Sequence, residues 1–175
     1  MQWQAAADYQ DLSEVGATLI YNAIVANSCK RFNLGLATGN TMTNLYSLLA
    51  EKLNYNRIPL GRLHTYNLDE YVDDGRAVPE SHPLSYRRYM RENLFCRFDA
   101  GLGFDEDNIH FPDPANPERF DHELAEAGGL DFQLLGIGFN GHIAFNEPED
   151  ISSASVEAFA ARPSRVIELT ALTLE

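Results

Sequence analysis

Cysteine is scarce: Cys29 and Cys96 are the only two, far apart and in no Cys-x-x-Cys arrangement. Neither a disulfide framework nor a thiolate zinc site is expected, and both are read as buried thiols. His64, His82, His110, His122 and His142 show no paired metal-ligand spacing, so no metal is expected. Lysine is equally scarce, with only Lys30 and Lys52, so any cationic clamp must rely on arginine. Basic residues number 13 against 26 acidic ones, a formal net charge of -13. That balance argues against nucleic acid or an anionic membrane as the main partner, since both require a basic face. It leaves a small anionic ligand open, because a few backbone N–H groups bind phosphate on an acidic protein. No apolar run approaches the ~20 residues that span a bilayer. Met1-Gln2-Trp3-Gln4 lacks the basic and apolar regions of a signal peptide. The expectation is a cytoplasmic protein whose 175 residues form one globular domain, long enough to bury a core.

Helical and extended periodicities alternate along the chain. Residues 11–29 predict an amphipathic helix, with Asp11 as N-cap, Glu14 completing a capping box, and Leu12, Val15, Leu19, Ile20 and Ile24 on the inner face. Leu34 to Ala37 predicts a buried strand, followed by a helix on which Met42, Leu45, Leu48 and Leu49 share a face. Further strands are expected at Leu63 to Leu68, near Ile109, at Asp131 to Ile137 and at Arg165 to Leu169. Helices are expected over 83–97 and 118–127. Strands alternating with helices indicate βαβ units, hence an α/β fold with a mostly parallel sheet and ligands beyond the carboxyl ends of its strands.

Three stretches carry chemistry. In Leu34 to Thr41 a strand runs through a small turn into a helix start, where unpaired N–H groups and the helix dipole favour an anion. Gly39 allows close approach, Thr38 and Thr41 offer hydroxyls, and Asn40 completes the turn; the bland alternative is an ordinary N-cap. The Gly-Lys-Ser/Thr ending of a nucleotide-triphosphate loop is absent. In Asn67 to Tyr71, Asp69 and Glu70 stand where a strand should stop, a place for a general base or for a solvated acidic pair. The third stretch, Leu134 to Pro148, contains Gly136, Gly138 and Gly141 in a formal G-x-G-x-x-G. A dinucleotide site needs a helix directly after the glycines, and Asn146-Glu147-Pro148 breaks that pattern. The glycines fit better as a strand end approached closely by ligand, with His142 and Glu147 as a proton-transfer pair.

These stretches, together with Ser81 to Tyr86, resemble the glucosamine-6-phosphate deaminase family, most specifically through Gly-His-Ile-Ala-Phe-Asn-Glu-Pro at 141–148. The resemblance implies a Rossmann-like, doubly wound sheet with helices on both faces. It implies hydrolytic deamination and isomerisation of glucosamine 6-phosphate to fructose 6-phosphate and ammonia, in amino-sugar metabolism, with no metal, nucleotide or organic cofactor. By the same resemblance Asp69 moves the proton from C2 toward C1, and His142 opens the pyranose ring, supported by Asn140 and Glu147. Thr38, Gly39, Asn40 and Thr41, with Gly136, Gly138 and the substrate-side Tyr86, form the substrate and phosphate site. The family's oligomeric states differ, which leaves a homo-oligomer open.

Family members commonly carry Asp where Asn140 stands. They also continue beyond the position of Glu175 into a lid segment and further basic phosphate ligands, of which Arg165 precedes the first. The sequence therefore reads as incomplete at its C-terminus and trimmed at its N-terminus. Two other readings stay open: a 6-phosphogluconolactonase, whose family shares the fold and a similar glycine-histidine segment, and a non-catalytic sugar-phosphate-binding module.

Overall fold

The computed structural model describes residues 3–149 and 155–174; Met1, Gln2 and Glu175, which bear on the readings of the two ends, lie outside the described residues. Helix α1 spans Tyr9–Ala26, and its N-cap is Asp8 rather than Asp11. Asp8 Oδ1 accepts from Asp11 N at 2.9 Å and Asp11 Oδ2 accepts from Ala7 N at 2.8 Å, so the reciprocal cap forms one turn earlier than expected. Its buried stripe is Ser13, Ala17, Ile20 and Ile24, whereas Leu12 and Leu19 are exposed. The cause is close packing against α2 (Met42–Tyr55): a Cβ added at Gly16 would stand 2.5 Å from Leu45 Cδ1. Small residues, not leucines, therefore face the second helix. On α2 the inner face is Met42, Leu45, Tyr46, Leu49 and Leu53.

Strands β1 (Phe32–Leu36) and β2 (Leu63–Asn67) pair in parallel over five residues. A small antiparallel hairpin follows, β3 (Val72–Asp73) and β4 (Arg76–Ala77), turned by Asp74 and Gly75 at positive φ. Helix α3 covers only Tyr86–Asn93 of the expected 83–97, because Ser85 caps it, and Phe95–Arg97 form a separate 3-10 turn. Strand β5 (Ile109–His110), helix α4 (Pro117–Glu126) and strand β6 (Phe132–Gln133) complete a four-stranded parallel sheet in the order β5-β2-β1-β6. Two short helices, α5 (Val156–Ala160) and α6 (Ala171–Leu174), lie beyond it.

The strand expected over Asp131 to Ile137 is a ladder of two residues. Leu134 N still donates to Gly35 O at 2.9 Å, but β1 ends at Leu36 and leaves the rest unpaired. Ile137 and Phe139 are consequently 80% and 89% exposed. Arg165 to Leu169 forms no ladder; it runs instead along a cavity. Both cysteines, expected to be buried, are exposed.

Alternation along β1 and β2 divides the sheet's two faces. Phe32, Leu34 and Leu36 face α1 and α2 in the core, each large apolar side chain contributing about 1.5–3 kcal/mol by burial. Asn33 and Tyr66 face the other side. There Tyr66 meets Phe120 of α4 at 6.0 Å, and Asn33 Nδ2 donates to Ala127 O and Gly129 O just past that helix. Helices thus cover both faces, which is the doubly wound arrangement. On the α4 face, His64 Nδ1 lies 3.2 Å from His110 Nε2, Tyr66 stacks on His110, and Arg31 Nη2 donates to the Tyr66 hydroxyl at 2.6 Å. Burial first, then the Arg31 charge, hold His64 down at about 4 and lower His110 as well.

Candidate active site

All three chemistry-bearing stretches leave the sheet at its carboxyl edge, and the sheet order places them. The Thr38–Thr41 turn follows β1 and lies between the Asp69 segment after β2 and the Gly136–Glu147 segment after β6.

Asp69 and Glu70, alike in sequence, differ in environment. Glu70 is buried and takes four donors: Tyr71 N at 2.9 Å, Tyr86 N at 2.8 Å, Arg87 N at 3.0 Å and Ser85 Oγ at 3.2 Å. It thereby closes the N-terminus of α3 and holds Tyr86 beside the strand end. Asp69 accepts no hydrogen bond from any described side chain or amide. Burial, and secondarily the Glu70 charge, push it up to about 7. A carboxyl group titrating there is poised to remove a proton near neutral pH.

Burial pushes the Tyr86 phenol well above the ordinary value, with Thr38, which lowers it, and Tyr71 near enough to act on it. Tyr71, Tyr86 and Phe145 form an aromatic cluster with ring centroids 5.0–5.6 Å apart. One tyrosine therefore links the β1 turn, the Asp69 loop and the Gly-His-Ile-Ala-Phe segment.

Asn140 joins His142 and Glu147 through hydrogen bonds. Asn140 Nδ2 donates to Glu147 Oε2 at 2.5 Å, and Asn140 Oδ1 lies 2.7 Å from His142 Nδ1. A carboxylate only accepts, so the amide nitrogen must face Glu147 and the amide oxygen must face the ring. His142 Nδ1 then carries the hydrogen and Nε2 is left as the acceptor. Glu147 Oε1 accepts from Thr173 Oγ1 and from the amide and hydroxyl of Thr170, both at 3.3 Å. The Thr173 bond, followed by those from Asn140 and Thr170, holds the Glu147 carboxyl down at about 2. Gly138 is the floor beneath the ring: a Cβ there would stand 2.1 Å from His142 Nε2. Gly136 lies against α2, where a Cβ would approach Met42 Cε to 3.2 Å.

In the β1 turn, Gly39 has φ +117, yet a Cβ there meets nothing within 4 Å, so backbone conformation rather than space requires glycine. Thr41 makes no side-chain cap bond to α2. Its hydroxyl is free of the duty that the ordinary N-cap alternative assigns to it.

A cavity of about 740 Å³ is lined by Asp69, Tyr71, Phe145, Asn146, Arg162 and Arg165 among others. His142 and the Thr38–Thr41 turn do not line it. Arg162 is held by Glu149 through two hydrogen bonds, and Arg165 donates to Pro163 O at 3.5 Å. Among the described residues no three His, Cys, Asp or Glu side chains gather in a metal-binding group. No helix among them is long and apolar enough to cross a membrane.

Sequence reasoning missed several contributors. Glu70 is a structural acceptor, Thr170 and Thr173 hold Glu147, and Asn67 is fully buried at the end of β2 with both amide atoms unpartnered among the described residues. Asn67 left a signal as a residue type depleted in strands, and Glu70 as an acid at the strand end; the threonines left none.

Fold and candidate site together describe a parallel α/β protein whose three chemistry-bearing stretches meet at one sheet edge. The chain belongs to the family of glucosamine-6-phosphate isomerases and 6-phosphogluconolactonases, whose model matches residues 7–169. It is 38% identical over 174 residues to a glucosamine-6-phosphate deaminase of Pseudoalteromonas translucida (strain TAC 125), covering 95% of this chain and 58% of that protein. It is 41% identical over 147 residues to that of Rhodopirellula baltica (strain DSM 10527 / NCIMB 13988 / SH1), covering 81% and 52% respectively. The chain spans about half the length of the curated relatives it matches. Among solved structures, a monomeric glucosamine-6-phosphate deaminase aligns with TM-score 0.74 and 25% identity, covering 94% of this chain and 73% of that one. A 6-phosphogluconolactonase from Thermotoga maritima shares the fold, with TM-score 0.62 at 24% identity, covering 89% and 67%.

Proposed function

We propose that the protein converts glucosamine 6-phosphate and water to fructose 6-phosphate and ammonia. The observation that carries this reading is Asp69, a carboxyl group just past a strand end, free of hydrogen bonds among the described residues and pushed up to about 7 by burial. A base on carbon needs that placement, whereas hydrolysis of a lactone does not.

The Nε2 of His142 takes the proton of the C1 hydroxyl and returns it to the ring oxygen, so the pyranose opens to the aldehyde. The Asp69 carboxylate then removes the C2 proton and delivers it to C1, leaving a C2 iminium after the enolamine. Water adds to C2 and ammonia leaves. The Thr38–Thr41 turn holds the phosphate, with Gly136, Gly138 and Tyr86 shaping the substrate side, so that remote binding energy orients C1 and C2. These steps use only the chain, substrate and water, and fit a cytoplasmic enzyme with no nucleic-acid partner.

The test is incubation of the purified chain with glucosamine 6-phosphate, following ammonia and fructose 6-phosphate, with Asp69→Asn as control. Both products, absent in the control, support the reading. Turnover of 6-phosphogluconolactone instead would replace it with the lactonase, and binding without any turnover would make the chain a sugar-phosphate-binding module.

A further inference from the structure

The turn after β1 has an unusual distribution of polar groups. Three of its carbonyls are held by tyrosine hydroxyls, each from a different helix. Tyr46 of α2 donates to Ala37 O, Tyr89 of α3 donates to Gly39 O at 2.7 Å, and Tyr9 of α1 donates to Asn40 O at 3.1 Å. Two of these hydroxyls also engage the first turn of α2. The Tyr9 oxygen accepts from Asn44 N at 3.3 Å, and the Tyr89 oxygen lies 3.2 Å from Thr43 Oγ1. Meanwhile the amides of Gly39, Asn40 and Thr41 donate to no acceptor among the described residues. Three carbonyls of the turn are thus occupied, those of Gly39 and Asn40 also by Met42 N at 2.9 Å and Thr43 N at 3.4 Å, while the three amides stay free among the described residues.

The residue types fit this arrangement. Each tyrosine reaches the turn with a long rigid ring, and its hydroxyl can donate to one group while accepting from another. Tyr46 is fully buried, and burial drives its phenol well above the ordinary range, so it remains a donor throughout the working pH range. Tyr89 is likewise raised by burial. A carbonyl turned toward a phosphate would repel it, and these bonds oppose such a rotation of the peptide planes.

We infer that Tyr9, Tyr46 and Tyr89 are positioning residues that brace the β1–α2 turn, fixing its carbonyls inward so that the amides of Gly39, Asn40 and Thr41 present a preformed oxyanion cradle. This rests on the phosphate reading of that turn. The brace joins α1, α2 and α3 at one point, so the cradle geometry depends on the packing of all three helices.

Tyr9→Phe and Tyr89→Phe test it, since both leave the ring and remove one hydroxyl at sites less buried than Tyr46. Inorganic phosphate is titrated into the chain while the backbone amide resonances of Gly39, Asn40 and Thr41 are followed, with the exposed Tyr55→Phe as control. Each brace variant is expected to weaken phosphate about fivefold, the effect of one net hydrogen bond, and the double variant more. With glucosamine 6-phosphate the loss is expected in KM, with kcat nearly unchanged. Wild-type phosphate affinity in both variants, whatever their Tm, overturns the brace. Failure of phosphate to shift those amides in the parent protein overturns the cradle and the brace together.

Discussion

Glu70 occupies both carboxylate oxygens with donors from the start of α3, while Asp69, the preceding residue, accepts from none of the described groups. Both follow the bend at Leu68 just past β2; Glu70 is drawn into the scaffold at the start of α3, while Asp69 lies near enough to Tyr86 for its charge to act on that phenol. The scaffold acid also contributes to the state of the functional one, since its charge helps raise Asp69.

Asp69→Asn is expected to abolish deamination and to stabilise the fold at alkaline pH. A carboxyl raised from 3.8 to about 7 favours the protonated folded form, so its contribution to stability falls as pH rises through that window. The Tm advantage of the variant should therefore be larger at pH ~8 than at pH ~4, on a scale of ~2–4 °C per kcal/mol. An equal difference at both pH values would contradict the burial of the charge.

Glu70→Ala should be costlier to the fold than any change at Asp69. It leaves the amides of Tyr71, Tyr86 and Arg87 without their acceptor, at about 1–3 kcal/mol for each group that stays buried. Thermal denaturation reads the loss directly, and an unchanged Tm would mean that water replaces Glu70 at the helix start.

Thr173→Val should shift the acid limb of the pH–rate profile upward. The Thr173 hydroxyl is the largest influence holding Glu147 at about 2, so without it the carboxyl protonates at higher pH and releases Asn140. Thr173→Ser should restore the parent profile. Asn140→Asp should also move it, by placing a second carboxylate against Glu147 and directly on His142; an unmoved profile in both Val and Asp variants would remove the Asn140 hydrogen bonds from the mechanism.

The glycines separate by site. Gly138→Ala puts a methyl group into the His142 ring and should lower kcat on the order of 10²-fold, the contribution of one general acid–base group. Gly39→Ala meets no atom and suffers only from φ +117, a strain of about 1–2 kcal/mol, so it should act through KM and stability. Steady-state kinetics of the two variants distinguish these outcomes.

The histidine pair on the α4 face predicts the opposite pH trend to Asp69. His64 is held at about 4, so its neutral folded form contributes stability above about pH 6.5 that is lost as pH falls toward 4. The facing charges are Arg31 and His110, which lower it, and Asp105, which raises it. His64→Asn should flatten acid denaturation in that interval, measured by Tm against pH.

Much of the α/β order was legible because β1, β2, α2 and α4 are locally consistent in period and length. The inner face of α1 was not, since Leu12 and Leu19 satisfy helical spacing and only the approach of Leu45 to Gly16 selects Ser13 and Ala17 instead. β6 read as seven residues because the apolar pattern of 131–137 carries no record of where its partner strand stops. At the site, Asp69, Asn140, His142 and Glu147 stood out as residue types at strand ends. The tyrosine brace and the threonine anchors did not, because hydrogen bonds between residues such as Tyr9 and Asn40, 31 positions apart, leave no local pattern.

The position of β1 in the sheet has a consequence for synthesis of the chain. Its flank toward β6 is completed only when Asp131, 98 residues later, accepts from Asn33 N. At ~5–20 residues per second, a ribosome delivers that partner roughly 5–20 s after β1 emerges. During that interval a five-residue strand that is buried in the finished fold, paired at most on its β2 side, offers a bare template to other chains. Nascent-chain yield should therefore depend on translation speed through 37–131 and on chaperone supply, more than on the stability of the finished fold.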